Sequence, residues 1–132
     1  MDMRIPGRVI RQVAAAVLIA AAAAACNQES PAEPSEPGCA TITIQNNVVS
    51  PKHLTVAPGC RVTFVSNDND RHDMVSDPHP EHTDCPAINS VGVLNRSGQS
   101  RQTGNLISPG VCGFHDHEHD SIEGLRGTIT IK

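Results

Sequence analysis

Short runs that alternate polar and apolar residues begin just after residue 39 and recur to the end of the 132-residue chain. Residues 41–44 and 128–131 both read Thr-Ile-Thr-Ile, and residues 54–56 and 62–64 alternate in the same way. Alternation of this kind places the apolar side chains on one face of a β-strand, whereas an amphipathic helix repeats about every 3.6 residues. Nothing after residue 39 shows the helical period, so the sequence predicts an all-β domain.

Turn residues separate these runs and indicate the architecture. Ala-Pro-Gly at 57–59 and Ser-Pro-Gly at 108–110 each stand between two runs. Many short strands joined by such turns are typical of a β-sandwich or a small barrel. Because the chain has no Trp or Tyr, its core is expected to consist of Val, Ile and Leu around Phe64 and Phe114. Residues 76–98 carry three prolines and are predicted to form one long irregular loop.

The first 25 residues are predicted to be a lipoprotein signal peptide. Arg4, Arg8 and Arg11 make its start positive, and residues 13–25 form an apolar run shorter than the roughly 20 residues that span a bilayer. Small residues lead directly into Cys26, which is the pattern of an exported bacterial protein that is cleaved and lipidated at that cysteine. The alternative is ordinary signal cleavage nearby, which would leave Cys26 as a free thiol.

Lipidation of Cys26 would tether the chain to a membrane, facing the periplasm or the cell exterior. The next residue, Asn27, is not the Asp that retains lipoproteins at an inner membrane, so the outer membrane is favoured where the host has one. Residues 26–38 comprise this cysteine and a segment rich in Pro, Glu and Ser that can bury nothing, so it is predicted to be a tether. Residues 39–132 then form a single domain. Without the first 25 residues the net charge is −6, which argues against a nucleic-acid partner.

Several segments of residues 39–132 together resemble the cupredoxin family of plastocyanin-like copper proteins. Residues 54–64 are similar to the family's strand, Pro-Gly turn and strand, and residues 67–75 are similar to the turn that delivers its first histidine ligand. Residues 98–100 resemble the turn before its penultimate strand. Residues 112–115 have its Cys-x-x-His spacing, and residues 127–131 match its last strand. The resemblance implies a Greek-key β-sandwich of about seven strands that carries electrons or handles copper and is not an enzyme.

The resemblance also implies where a metal binds. His72, Cys112 and His115 stand at the positions of the family's three strong ligands to one copper ion, and His117 is a further candidate. Two imidazoles and a thiolate hold both oxidation states of copper in one geometry. No Met follows His115 as an axial ligand, and Met74 is expected to pack in the core. A protein redox partner would be expected for such a site.

The four cysteines of the domain leave the thiolate ligand open. Exported domains sit in an oxidising compartment, where thiols tend to pair. In a plastocyanin-like sandwich the strands that begin at Cys39 and Cys60 are neighbours, so the resemblance implies a disulfide between them. If Cys112 binds copper, Cys85 remains unpaired. If Cys85 and Cys112 form a disulfide, every thiol is used and no thiolate is left for the metal.

In the second case the histidines must hold the metal. His115 and His117 are two residues apart, so in a strand they point the same way. With His72, and with His79 or His82 from the proline-rich loop, they would form an all-imidazole site for Cu(II) or Zn(II). His53 and His119 are expected to be surface residues.

Two other functions compete with metal binding by a cupredoxin-like domain. A metal-free domain held by disulfides would bind a protein or a carbohydrate through its loops. Residues 113–118 superficially match a histidine run of copper/zinc superoxide dismutases. That family needs further histidine clusters after the run, and His119 is the only histidine that follows here, so dismutase activity is not expected.

Overall fold

Residues 38–132 are the part of the chain that the computed structural model describes. Two single-turn 3-10 helices, Pro86–Ser90 and Glu123–Leu125, interrupt the strands. Within these residues no segment forms an α-helix, and no helix is long and apolar enough to cross a bilayer. The predicted signal peptide, Cys26 and the tether up to residue 37 lie outside the described residues. The strands are β1 Ala40–Gln45, β2 Val48–Ser50, β3 His53–Val56, β4 Val62–Ser66, β5 His72–Ser76, β6 Gly92–Leu94, β7 Ser100–Gln102, β8 Gly110–Asp116 and β9 Gly127–Ile131.

These strands form two mixed sheets. The first has the order β2-β1-β4-β7, and the second has the order β3-β9-β8-β5-β6. The pairs β1–β4 and β3–β9 are parallel, and the remaining pairs are antiparallel. The predicted all-β sandwich is therefore confirmed. The structure has nine strands where about seven were expected, because β2, β6 and β7 have only three residues each and are too short to show alternation.

The core lies between the sheets and is built from the alternating residues. Ile42 and Ile44 of β1 and Ile129 of β9 are fully buried, as the Thr-Ile repeats predict. Phe64 of β4 and Phe114 of β8 meet edge to face, with ring centroids 5.2 Å apart. Because these two rings come from different sheets, their contact identifies the inner face of each sheet. Burial of each such side chain stabilises the fold by roughly 1.5–3 kcal/mol.

The segment between β5 and β7 is more ordered than its prolines suggest. It contains the 3-10 helix Pro86–Ser90 and the strand β6, in which Leu94 pairs with His72. The prediction of one irregular loop over residues 76–98 is therefore wrong for its second half. Residues 77–85 do remain irregular, and hydrogen bonds hold them to the strands, for example from Asp77 N to Gly113 O (3.0 Å).

Two disulfides complete the framework. Cys39 and Cys60 join the start of β1 to the start of β4, which is the pairing that the resemblance implies. Cys85 and Cys112 join the end of the irregular segment to β8. The Cα atoms of each pair are 5.7 Å apart, within the usual range for a disulfide.

Candidate metal centre

The register between β5 and β8 decides which residues of the Cys112–Asp116 region lie together. Val75 is opposite His115, and Met74 is opposite Asp116, in an antiparallel ladder. Side chains alternate between the faces of a strand, so Asp116 shares the inner face with Phe114, whereas His115 projects from the outer face. The strand continues through Asp116, so this alternation is not broken at His115.

Residues 77–82 lie over the outer face beside His115, and Cys85 then reaches Cys112, which faces the core. Asp84 N donates to Asp77 O, and His82 N donates to Pro78 O, so the segment folds back on itself. His82 has a positive φ of 55°. Asn89 anchors the segment to β5: its amide donates to His82 O (2.9 Å), and its side-chain oxygen accepts from Ser76 N (2.8 Å).

Four imidazoles meet on this outer face. His79 and His82 come from the irregular segment, and His115 and His117 come from β8 and the residue just after it. One nitrogen from each ring lies within 4.8 Å of one nitrogen from every other ring. The ring centroids of His82 and His117 are 4.9 Å apart, and those of His79 and His117 are 5.0 Å apart. We call these residues the four-histidine group.

Neighbouring acceptors determine which ring nitrogens carry protons. His115 Nδ1 donates to Asp77 Oδ1 (2.5 Å), and His82 Nδ1 donates to the carbonyl of Ser76 (2.9 Å). In a neutral imidazole the other nitrogen then has a free lone pair. His82 Nε2 lies 3.0 Å from His117 Nδ1. His115 Nε2 is buried and finds no hydrogen-bond partner among residues 38–132, a situation that costs about 1–3 kcal/mol if it is not relieved.

A second set of ligand-type residues lies on the inner face, at the end of the sandwich. It consists of His72, Asp116 and His119, and we call it the inner-face group. His72 Nδ1 donates to Asp116 Oδ2 (2.7 Å), and His119 Nδ1 donates to the same oxygen (2.9 Å). His72 and Asp116 are fully buried, whereas the side chain of His119 is 34% exposed.

These contacts shift the pKa values of the buried pair in opposite directions. The hydrogen bond to Asp116 raises the pKa of His72 above its ordinary value, against the effect of burial, and the charges of Asp116 and Asp68 add to the rise. Burial alone would raise the pKa of Asp116. Hydrogen bonds from His72, from the backbone N–H of Asp73 and from His119 outweigh burial and lower it.

The structure does not assemble the ligand set that the resemblance implies. Cys112 is bonded to Cys85 and offers no thiolate, so of the two alternatives the structure contains the disulfide. His72 and His115 belong to different groups because they project from opposite faces of the sheet. The Cys-x-x-His spacing has the same consequence, because Cys112 and His115 are three positions apart on an unbroken strand and therefore face opposite sides of the sheet.

The structure brings several of the other candidate residues together. His117 does lie beside His115, and the alternative candidates His79 and His82 complete that group. Met74 is fully buried, as expected. His119 was assigned to the surface, but it contacts Asp116. Asp116 was missed as a possible ligand, although its position two residues after Phe114 in an alternating strand indicates that it faces inward.

Solved structures with the same architecture identify the fold. A fern plastocyanin variant aligns with a TM-score of 0.55 and 21% identity, covering 70% of this chain and 99% of its own. A purple cupredoxin from Nitrosopumilus maritimus aligns with a TM-score of 0.52 and 18% identity, with the same coverage. The fold is that of the cupredoxins. An amicyanin variant, described in its reduced Cu(I) form, has the same fold with a TM-score of 0.54 and 15% identity, covering 73% of this chain and 84% of its own.

Sequence comparisons add nothing to this likeness. No protein-family model matches the chain, and no curated protein matches it. At 15–21% identity the neighbours share the cupredoxin architecture, and the site must be judged from the side chains of this chain.

Proposed function

We propose that this chain is a membrane-tethered copper-binding protein with a cupredoxin fold, and that the four-histidine group holds the ion. The observation that carries the proposal is the buried Nε2 atom of His115, which has a lone pair and no hydrogen-bond partner within the described residues. A buried polar atom of this kind normally has a hydrogen-bond partner or binds a metal. Three further imidazoles surround His115, which is the donor set that copper and zinc accept.

Residues around the group have the roles that metal sites require of their surroundings. Histidine ligands usually donate their second ring N–H to a carboxylate or a carbonyl, which sets the ring orientation and the tautomer. Asp77 does this for His115, and the carbonyl of Ser76 does it for His82. Gly113 contributes by having no side chain, because a Cβ atom there would collide with the carboxylate of Asp77.

Copper is favoured over zinc because structures of the same fold include an amicyanin variant in its Cu(I) form. Imidazoles bind Cu(I), Cu(II) and Zn(II), so the donor set alone permits each of them. Bound copper would supply one-electron redox chemistry. Within residues 38–132 all four cysteines are in disulfides, so this domain supplies no thiolate, the ligand that gives blue-copper sites their properties.

Copper handling agrees better with this site than long-range electron transfer. His79 and His117 are exposed, whereas His115 is buried. Exposed ligands let an incoming donor protein replace them one at a time, so an ion can be passed on or received. The buried His115 and the partly buried His82 would retain the ion between exchanges.

Metal titration of the purified chain tests the proposal. After chelator treatment, we expect His115→Ala and the exposed variant His79→Ala to bind Cu(II) at least about tenfold more weakly than the unmodified chain. His53→Ala is the matched control, because His53 is exposed and bonds only Thr128 Oγ1 in this structure. The copper-loaded chain should lack the intense visible absorption of a copper–thiolate bond. Unchanged affinity in both test variants, or that intense band, would contradict the proposal.

The membrane tether needs its own experiment, because residues 1–37 lie outside the described part of the chain. We expect radiolabelled palmitate to enter the protein at Cys26, and we expect a Cys26→Ser variant to take up none and to leave the membrane fraction. Equal labelling of both proteins would rule out lipidation at this cysteine. The outcome does not bear on metal binding by the domain.

A further inference from the structure

The inner-face group has the features of a second metal site. Asp116 is fully buried at the centre of the group, and its two oxygens have different surroundings. Oδ1 accepts hydrogen bonds from the backbone N–H groups of Asp73 and Glu118, both at 3.0 Å. Oδ2 accepts no hydrogen bond from the backbone of residues 38–132 and faces the Nδ1 atoms of His72 and His119. The backbone therefore fixes the carboxylate with one oxygen directed at two imidazole nitrogens.

The rings of His72 and His119 also have surroundings that suit metal ligands. His72 Nε2 lies 3.3 Å from the carboxylate of Asp68, so the nitrogen that faces away from Asp116 has its own acceptor. This is the arrangement of a metal-bound histidine, whose outer N–H is held by a carboxylate. The ring of His119 lies with its centroid 5.7 Å from that of His72, on the solvent side. Its partial exposure gives an ion a route to a centre that is otherwise buried.

We propose that His72, Asp116 and His119 bind a second divalent metal ion, through the Nδ1 atoms of the histidines and Oδ2 of Asp116. The ligand nitrogens must be unprotonated, so the ion takes the place of the Nδ1 protons that now point at Oδ2. Two imidazoles and one carboxylate suit Zn(II) or Cu(II), whereas Cu(I) prefers softer ligands. The site is independent of the four-histidine group, because the two groups lie on opposite faces of β8.

Counting ions in three variants tests this inference on the full chain. The variants are His119→Ala, the double variant His79→Ala/His117→Ala, and all three substitutions combined. Each removes side chains that are at least partly exposed, so the core is left intact. Equilibrium dialysis against Zn(II) and elemental analysis give the bound metal, and thermal unfolding checks that each variant is folded.

We expect His119→Ala and the double variant each to bind about one ion fewer per chain than the unmodified protein, and the combined variant about two fewer. With Cu(I) supplied anaerobically and without a thiol reductant, so that both disulfides stay intact, His119→Ala should match the unmodified protein, because the carboxylate-containing site disfavours that ion. His119→Gln, which keeps a polar side chain, should lose the same ion as His119→Ala.

The inference is overturned if folded His119→Ala binds as much Zn(II) as the unmodified protein. The proposed function fails instead if the double variant loses neither a Zn(II) ion nor a Cu(I) ion. The two results are read from different variants, so failure of one proposal is distinguishable from failure of the other.

Discussion

Single acceptors around the four-histidine group determine whether its rings can act as ligands. Asp77 is the clearest example. Its carboxylate accepts a hydrogen bond from His115 Nδ1 at 2.5 Å, so the proton stays on Nδ1 and the lone pair is on Nε2. Ser76 does the same for His82 through a backbone carbonyl, which no side-chain substitution removes. Asp77 is therefore the residue outside the four histidines through which the site can be weakened selectively.

Asp77→Asn is expected to lower the affinity for Cu(II) by about tenfold or more, because an amide is a weaker acceptor for the His115 N–H than a carboxylate. Competition with a chelator of known affinity measures the change. Asp84→Asn is the matched control, since Asp84 is an exposed acid in the same segment. Equal affinities for the two variants would show that Asp77 does not orient the ring.

Residue-scale contacts also secure the turn between β1 and β2. Asp68 accepts hydrogen bonds from the backbone N–H groups of Asn46 (2.6 Å) and Asn47 (3.0 Å), both of which have positive φ. Burial opposes the charge of Asp68, but these N–H groups and the nearby His72 hold the pKa of Asp68 below its ordinary value. The ionised carboxylate is therefore favoured by folding.

Asp68→Ala should destabilise the chelator-treated protein by about 1–2 kcal/mol near neutral pH, because two backbone donors lose a charged acceptor. A carboxylate with a lowered pKa stabilises the fold above its unfolded value of about 4, and the contribution is lost as the pH falls through the folded value. The difference from the unmodified protein should therefore shrink as the pH falls below about 4 in urea unfolding. Asp70→Ala, an exposed change in the same loop, is the control. A difference that grows as the pH falls below about 4 would refute this role.

Among the structural elements, the irregular segment 77–85 that follows β5 links the disulfide framework to the site. It carries His79 and His82, and it ends at Cys85, which is bonded to Cys112 of β8. Cys112 lies on the same strand as His115. The disulfide thus fastens the segment with two of the histidines to the strand with the third, whereas Cys39–Cys60 joins strands that contribute no ligand.

Removing the two disulfides one at a time should show which of them affects metal binding as well as stability. The pairs span 27 and 21 residues, so by loop entropy Cys85→Ala/Cys112→Ala and Cys39→Ala/Cys60→Ala should each cost roughly 3–4 kcal/mol. Only the first variant should also bind Cu(II) more weakly, because its irregular segment loses its anchor to β8. Denaturant unfolding and copper titration of both variants measure the two effects. An equal loss of affinity in both variants would mean that the disulfide between Cys85 and Cys112 has no particular role at the site.

At the scale of the whole molecule, metal binding by the proposed site would be linked to folding. The four-histidine group brings together residues from two distant parts of the chain, so the unfolded chain cannot offer the same site. A ligand that binds only the folded state stabilises it by about 2.7 kcal/mol at a concentration of 100 times Kd. For a domain of this size that corresponds to a rise in Tm of roughly 10–20 °C per site.

We expect saturating Zn(II) to raise Tm in a calorimetric scan, and we expect the double variant His79→Ala/His117→Ala to lose the part of the rise that comes from the four-histidine group. Acidification should reduce the effect, because a protonated imidazole has no lone pair for the ion. A rise in Tm that is the same in this variant would place the stabilising ion elsewhere.

Sequence patterns predict the sandwich well and the site only in part. The Thr-Ile repeats reveal β1 and β9, because one buried face imposes a period of two on the side chains. The site depends on register, and the local pattern around Cys112 and His115 does not show that β8 runs unbroken through both residues. Once that is known, alternation places His115 on the outer face with His117 and places Asp116 on the inner face. The approach of His79 and His82 depends on long-range contacts that no local pattern contains.

The bond between Cys85 and Cys112 forms only in an oxidising compartment, so the proposed metal site would depend on the compartment as well. In a reducing cytoplasm the two thiols would stay apart, and the segment with His79 and His82 would not be fastened over His115. The newly made chain would then be a poor competitor for cytoplasmic zinc and copper. If the chain is exported, as we propose, oxidation outside the cytoplasm would complete the site. Selection of the ion would thus be made by the metals available outside the cytoplasm, without any discrimination by the histidines themselves.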